Sequence, residues 1–149
     1  MPGHFLAKYS DRREEFFIDS YNRGAILTRE DCRNRLHERY GDALEFHDRL
    51  LARATNRQIV WRMLNNLKDI YVKGHAIDKC LSIVDMMLMV DSEDLIQFRD
   101  RGLLRLKLRQ FDGAGRDLEH YLHHSRNAQD REEIENHVRE LKRIRAMMN

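Results

Sequence analysis

Two short runs near the start of the chain concentrate aromatic and aliphatic residues. Residues 4–9 read His-Phe-Leu-Ala-Lys-Tyr and residues 15–21 read Glu-Phe-Phe-Ile-Asp-Ser-Tyr, with polar residues 10–13 between them. This pattern predicts two strands joined as a β-hairpin. A lone hairpin is marginal in water, so it needs a surface to pack on. After the turn Asn22-Arg23-Gly24 the apolar spacing lengthens toward the helical period. Thr28 with Asp31 three residues on predicts a capped helix that runs to Tyr40 and stops at Gly41. Residues 43–52, with Leu44, Leu50 and Leu51 on one side, predict a second short helix. Thr55 or Asn56 caps the next one. Five longer helices follow, over 57–73, 77–90, 95–109, 112–124 and 130–147. The last carries Ile134, Val138, Leu141 and Ile144 on one face and charge elsewhere, as a terminal cap does.

Residues 61–128 contain one pattern written twice, 34 residues apart. Ile77 pairs with Phe111, Cys80 with Ala114, Val84 with Leu118 and Met87 with Tyr121. Leu67 and Tyr71 fall on Arg101 and Arg105, which do not match, although Gly102 stands beside them where two helices approach closely. A helix-turn-helix unit of this period is the mark of tetratricopeptide repeats. In such a hairpin Cys80 and Ala114 hold the small position, Ile77/Phe111 and Val84/Leu118 fill the space between the helices, and Met87/Tyr121 pack toward the next helix. All of these are core positions.

Function in a repeat of this kind sits on the free face of the first helix of each hairpin. The spacing places Arg62, Asn65, Asp69 and Lys73 on that face in the first repeat. It places Ile96, Arg99, Leu103, Leu106 and Lys107 there in the second. The charged and amide groups among them, Arg62, Asn65, Asp69, Lys73, Arg99 and Lys107, are the candidate peptide-binding residues. The leucines of the second set need cover, from the last helix, the N-terminal segment or a partner. His120, His123 and His124 border one helix face. No thiol or carboxylate is placed to complete a zinc set, so no metal is expected.

Composition narrows the partners. The 149 residues suit about one domain, and 35 % are charged with the signs interleaved. A net charge of +2 gives no domain-wide basic excess, which argues against nucleic acid. No apolar run reaches the ~20 residues of a membrane span. Two cysteines, Cys32 and Cys80, make no secreted-type disulfide framework, so a reducing cytoplasm is the expected setting.

Several stretches carry a further resemblance: Pro2-Gly3-His4-Phe5-Leu6, Phe17-Ile18-Asp19, Leu27-Thr28-Arg29-Glu30-Asp31-Cys32, residues 63–71 and residues 99–104. In this order and spacing they resemble the C-terminal half of bacterial SirB-type proteins, a transglutaminase-like domain followed by tetratricopeptide repeats. The resemblance implies a Cys-His-Asp triad in which His4 and Asp19 match the histidine and the acid. A histidine would take the thiol proton and the carboxylate would hold its tautomer. The nucleophilic cysteine of the family precedes the histidine, and none of residues 1–3 is cysteine. Cys32 follows the hairpin and belongs to a different stretch. His4 and Asp19 are then relics, or half of a site completed elsewhere.

The expectation is a mainly α fold with four parts. Residues 1–25 form a hairpin left from a transglutaminase-like domain, 26–56 are linking helices, 57–128 are two tetratricopeptide-like repeats and 129–149 cap them. The expected function is non-catalytic binding of a protein or peptide, with no cofactor. The runner-up is the C-terminal part of a transglutaminase-like hydrolase or acyltransferase whose nucleophile lies upstream. A homodimer formed by pairing hairpin edges is a third reading.

Overall fold

The computed structural model describes Met1 and residues 5–148, which divide into two compact units, Met1–Ala54 and Thr55–Asn149. His4, expected to open the first strand, lies outside the described residues.

The first unit is a three-stranded antiparallel sheet with one helix. Strand β1 (Ala7–Ser10) pairs with β2 (Glu15–Asp19), and β2 with β3 (Ala25–Leu27). The sequence pattern predicted only the first two strands. The third forms because the loop after Asp19 closes on itself. Arg23 (φ 58°) and Gly24 (φ 76°) take left-handed backbone, and the Gly24 amide donates to the Asp19 carbonyl at 2.9 Å. That geometry returns the chain alongside β2. Helix α1 (Arg29–Tyr40) starts at a complete capping box: Thr28 Oγ1 accepts the Asp31 amide, and the Asp31 carboxylate accepts the Thr28 amide.

Residues 43–52 do not form the expected second helix. Two single 3₁₀ turns, Gly41–Ala43 just before this stretch and Asp48–Leu51 within it, flank an extended Leu44. The reason is packing. Phe46 and Leu51 both pack into the core with Phe17, Leu27 and Cys32. A continuous helix would set residues five apart about 140° around its axis, on different sides.

The second unit is built from five helices packed in sequence. Helices α2 (Asn56–Lys73) and α3 (Ile77–Val90) form one hairpin, α4 (Leu95–Lys107) and α5 (Phe111–His124) a second, and α6 (Arg131–Met148) packs on α5. Thr55, not Asn56, is the N-cap of α2 and forms a second capping box with Gln58. The 34-residue repeat is carried by the backbone. Gly74 N donates to Ile70 O and Leu108 N to Leu104 O. Ala76 N donates to Tyr71 O and Gln110 N to Arg105 O. His75 (φ 53°) and Arg109 (φ 57°) take the same left-handed place in the two turns.

Of the expected core positions, Ile77 and Phe111 are half-buried. Cys80, Val84, Met87, Ala114, Leu118 and Tyr121 are all buried. A Cβ on Gly102 would stand 2.6 Å from Leu118 Cδ2, so α4 and α5 cross too closely for any side chain there. Ile134, Val138 and Leu141 of α6 join Ala114, Leu118 and Tyr121 in one cluster, and Leu95, Leu103 and Leu106 pack against it. The leucines of the second repeat therefore find their cover within the unit. Ile96 stays 46 % exposed. No described helix is long and apolar enough to cross a membrane.

Candidate functional site

Asp19 is the most enclosed charge in the first unit, with no exposed surface. Its Oδ1 accepts the amides of Tyr21 and Asn22, both at 3.1 Å. Its Oδ2 accepts Asn22 Nδ2 at 2.7 Å and Arg35 Nη1 at 2.5 Å. The carboxylate thus closes the β2–β3 loop and pins that loop to α1. The other member of the expected pair, His4, is not described. Cys32 is fully buried, and burial pushes its thiol pKa up, which is the wrong direction for a nucleophile.

In the second unit, α2 carries Arg62, Asn65, Asp69 and Lys73 at helical spacing along one side. Arg62 and Asn65 are half-buried, while Asp69 and Lys73 are exposed. The Asn65 amide turns back on its own helix and donates to Trp61 O at 3.1 Å. Arg99 on α4 has a different position. Its Nε and Nη2 donate to Asp100 Oδ1 at 3.0 and 2.8 Å, and its Nη1 to Asp130 Oδ2 at 2.8 Å. Asp130 Oδ1 in turn accepts the Tyr121 hydroxyl at 2.7 Å. Arg99 is therefore already neutralised on the rim of an open depression shared with Ile96, His124, Arg126 and Gln129. It is a structural tie first and a ligand contact only second. Lys107 ends α4, exposed.

The sequence reading missed an ionic lattice at the mismatched positions. Arg101 grips Asp117 with two bonds, Nε to Oδ2 at 2.8 Å and Nη2 to Oδ1 at 2.7 Å. Its third nitrogen donates to Asp85 Oδ1 on α3 at 3.1 Å. Arg105 Nη1 donates to Asp117 Oδ2 at 2.8 Å. Nearby, Lys68 of α2 donates to Gln97 Oε1 at 2.7 Å and Asp100 Oδ2 at 2.5 Å of α4. Asp117 and Gln97 are each only 4 % exposed. The signal was present: Asp117 interrupts the apolar side of α5, 34 residues after Ile83.

The rings of His120 and His124 on α5 meet at a tilt, and those of His123 and His124 meet edge-on. The His120 ring lies 4.2 Å from Phe98 and 4.4 Å from His124, and His124 Nδ1 is 2.9 Å from His120 O. Burial, then the neighbouring His124, lowers the His120 pKa. Among the described residues, no group of three His, Cys, Asp or Glu side chains is placed to hold a metal ion.

Two family matches divide the chain within α2 rather than at the boundary between the two compact units. Residues 67–139 match the tetratricopeptide repeat family. Residues 1–65 match the transglutaminase-like superfamily. Two curated relatives, each called a UPF0162 protein, come from Xylella fastidiosa strain 9a5c and strain Temecula1 / ATCC 700964. Each is 33 % identical over 125 residues, which is 81 % of this chain and 44 % of the relative. The chain thus spans less than half the length of the curated relatives it matches. No solved structure matches it. The chain is therefore similar to two families in succession, transglutaminase-like up to α2 and tetratricopeptide repeat from α2 onward.

Proposed function

We propose that this chain is a non-catalytic polypeptide-binding module, derived from a SirB-type transglutaminase-like protein and acting in the cytoplasm. One observation carries the reading: the two hairpins repeat the same turn hydrogen bonds 34 residues apart, which gives α2 the place of a ligand-facing first helix. The sequence match over 67–139 supports it. On α2 the contacts come from Arg62, Asn65, Asp69 and Lys73. On α4 Lys107 contributes, and Arg99 does so only through the edge it shares with Asp130. The test is a photo-crosslinking residue at position 65 in the source cell, followed by mass spectrometry of the captured polypeptide. Arg62→Ala together with Lys73→Ala should cut capture by at least about tenfold, which is ~1.4 kcal/mol, with helix content unchanged. Undiminished capture by that variant would remove this side of α2 as the site. Light scattering on the same sample reads out self-association through the open edge of β1.

The second reading assigns Asp19 to a Cys-His-Asp site whose nucleophile lies upstream. The buried carboxylate at the matching position, inside the transglutaminase-like match, favours it. In any longer form of the protein carrying such a cysteine, Asp19→Asn should lower acyl transfer by about 100-fold or more, because a triad acid fixes the histidine's tautomer. The Arg35 contact gives Asp19 a structural duty as well, so the melting temperature is measured alongside. Loss of activity only in step with loss of fold would reject the catalytic role.

A further inference from the structure

The last two turns of α5 carry three exposed imidazoles, His120, His123 and His124. His120 and His124 stand four residues apart, which puts them one above the other on the same helix face. Their ring centres are 4.4 Å apart, with 42° between the ring planes. Two imidazoles bound at right angles to one metal ion, with metal–nitrogen distances of about 2.0–2.1 Å, have ring centres about 4.5 Å apart. Tetrahedral ligands would hold the same centres about 5.2 Å apart. The observed separation fits the right-angled arrangement.

Both rings are prepared by their neighbours. His124 Nδ1 lies 2.9 Å from His120 O. A carbonyl oxygen only accepts, so Nδ1 carries the hydrogen and donates it. In neutral His124 the free lone pair is then on Nε2. Histidines that bind metal are held in this way, by a bond from their other ring nitrogen to a carbonyl or carboxylate. The His120 ring rests on Phe98 of α4 at 4.2 Å. Burial, then His124, lowers the His120 pKa, which keeps that imidazole neutral at pH 7 and able to ligate.

The surrounding charges admit a cation. The pair ends α5, at the negative end of the helix dipole. Arg101 lies over the Phe98 ring, but Asp117 and Asp85 hold its guanidinium. Among the described residues no third His, Cys, Asp or Glu completes a set with the two imidazoles. A bound ion therefore keeps its other positions for water. Two right-angled nitrogens with open positions suit Ni(II) or Cu(II), whereas protein sites for zinc are tetrahedral.

We propose that His120 and His124 form a two-imidazole site for a divalent nickel or copper ion. His124 also lines the open depression beside Arg99, which places the ion at its edge. The inference does not depend on the polypeptide-binding reading. The probe is nickel chloride, titrated by calorimetry into the untagged, chelator-stripped chain at about pH 7.5. One ion per chain should bind. His120→Ala and His124→Ala should each weaken binding at least about tenfold. His123→Ala, and His47→Ala in the first unit, should leave it unchanged. Nickel should raise the melting temperature of the parent chain and not that of His124→Ala. Lowering the pH to about 5.5 should weaken binding, because protons compete for the same lone pairs.

His124→Phe keeps a ring against His120 without a donor nitrogen, so it should lose nickel even if the alanine variants fold poorly. Binding that survives His124→Phe overturns the proposal, as does no binding at millimolar nickel. A loss with His123→Ala as large as with His120→Ala overturns the assignment to this pair. Zinc bound more tightly than nickel overturns the right-angled geometry.

Discussion

Asp117 accepts three hydrogen bonds from two guanidiniums while only 4 % exposed. Its neighbours give that arrangement its meaning. In the first repeat the corresponding residues are Leu67, Tyr71 and Ile83. In the second they are Arg101, Arg105 and Asp117. An apolar trio has been exchanged for a charged trio as a set. Breaking one member of a buried ionic set leaves the others desolvated and uncompensated, at a cost of about 3–5 kcal/mol. Because Arg101 and Arg105 keep partial contact with Asp85 and with solvent, Asp117→Ile should destabilise the chain by about 3 kcal/mol in urea unfolding, near the lower end of that range. The triple change Arg101→Leu, Arg105→Tyr, Asp117→Ile should restore most of that loss, since apolar replacement of a whole buried set is often neutral. A triple variant no more stable than the single one would refute the exchange. The arginines were readable from the sequence as mismatches. Their partner was not, because it lies on the other helix of the hairpin and only the equivalence with Ile83 marks it.

At the scale of elements, local chemistry decided what could be read. Both capping boxes, Thr28–Asp31 and Thr55–Gln58, lie within four consecutive residues, and the helices they start fall where the pattern put them. The third strand is only Ala25–Leu27, too short to show alternation, and exists because Asp19 and Gly24 shape the loop before it. The expected helix over 43–52 failed because Phe46 and Leu51 must enter the same core. Helix α6 shows a similar dependence on one side chain. Asp130, just before it, ties to Tyr121 of α5 and Arg99 of α4. The Tyr121 hydroxyl first, and then Arg99, hold the Asp130 carboxyl below its ordinary pKa of 3.8. A depressed carboxylate stabilises the folded state above its unfolded pKa and loses that contribution as pH falls through the folded value. The tie should therefore persist at neutral and mildly acidic pH and fail below pH 3.8. Melting curves of the chain and of Asp130→Asn should differ at pH 7 and converge in stronger acid. A gap unchanged with pH would show that the ionised form of Asp130 does not matter.

At the scale of the whole molecule the period carried most of the legible information. A regular 34-residue spacing fixed the order of the helical hairpins before any contact was known, because each hairpin packs on its sequence neighbours. The candidate site was less legible. Helical spacing places Arg62, Asn65, Asp69 and Lys73 along one side of α2, but could not show that Arg99 is spent on Asp100 and Asp130. Nor could it separate exposed apolar residues of α2 from core ones, since Met63 and Leu64 are adjacent in sequence and opposite in fate. Leu64 packs with Ile83 and Met87 of α3, a contact that the spacing along α2 alone does not reveal.

The ionic joint between the hairpins also sets which of them can be copied. Asp85 of α3 receives Arg101 of α4, and the residue 34 positions after Asp85 is Glu119 on α5. A duplicate of the α4–α5 hairpin, inserted after α5, would present its arginine to an acid and continue the array. A duplicate of α2–α3 at the same place would present Leu67 to that acid instead, leaving Glu119 unanswered. The two hairpins are alike in backbone but not interchangeable as building blocks, so an array descended from this one would lengthen through its α4–α5 hairpin.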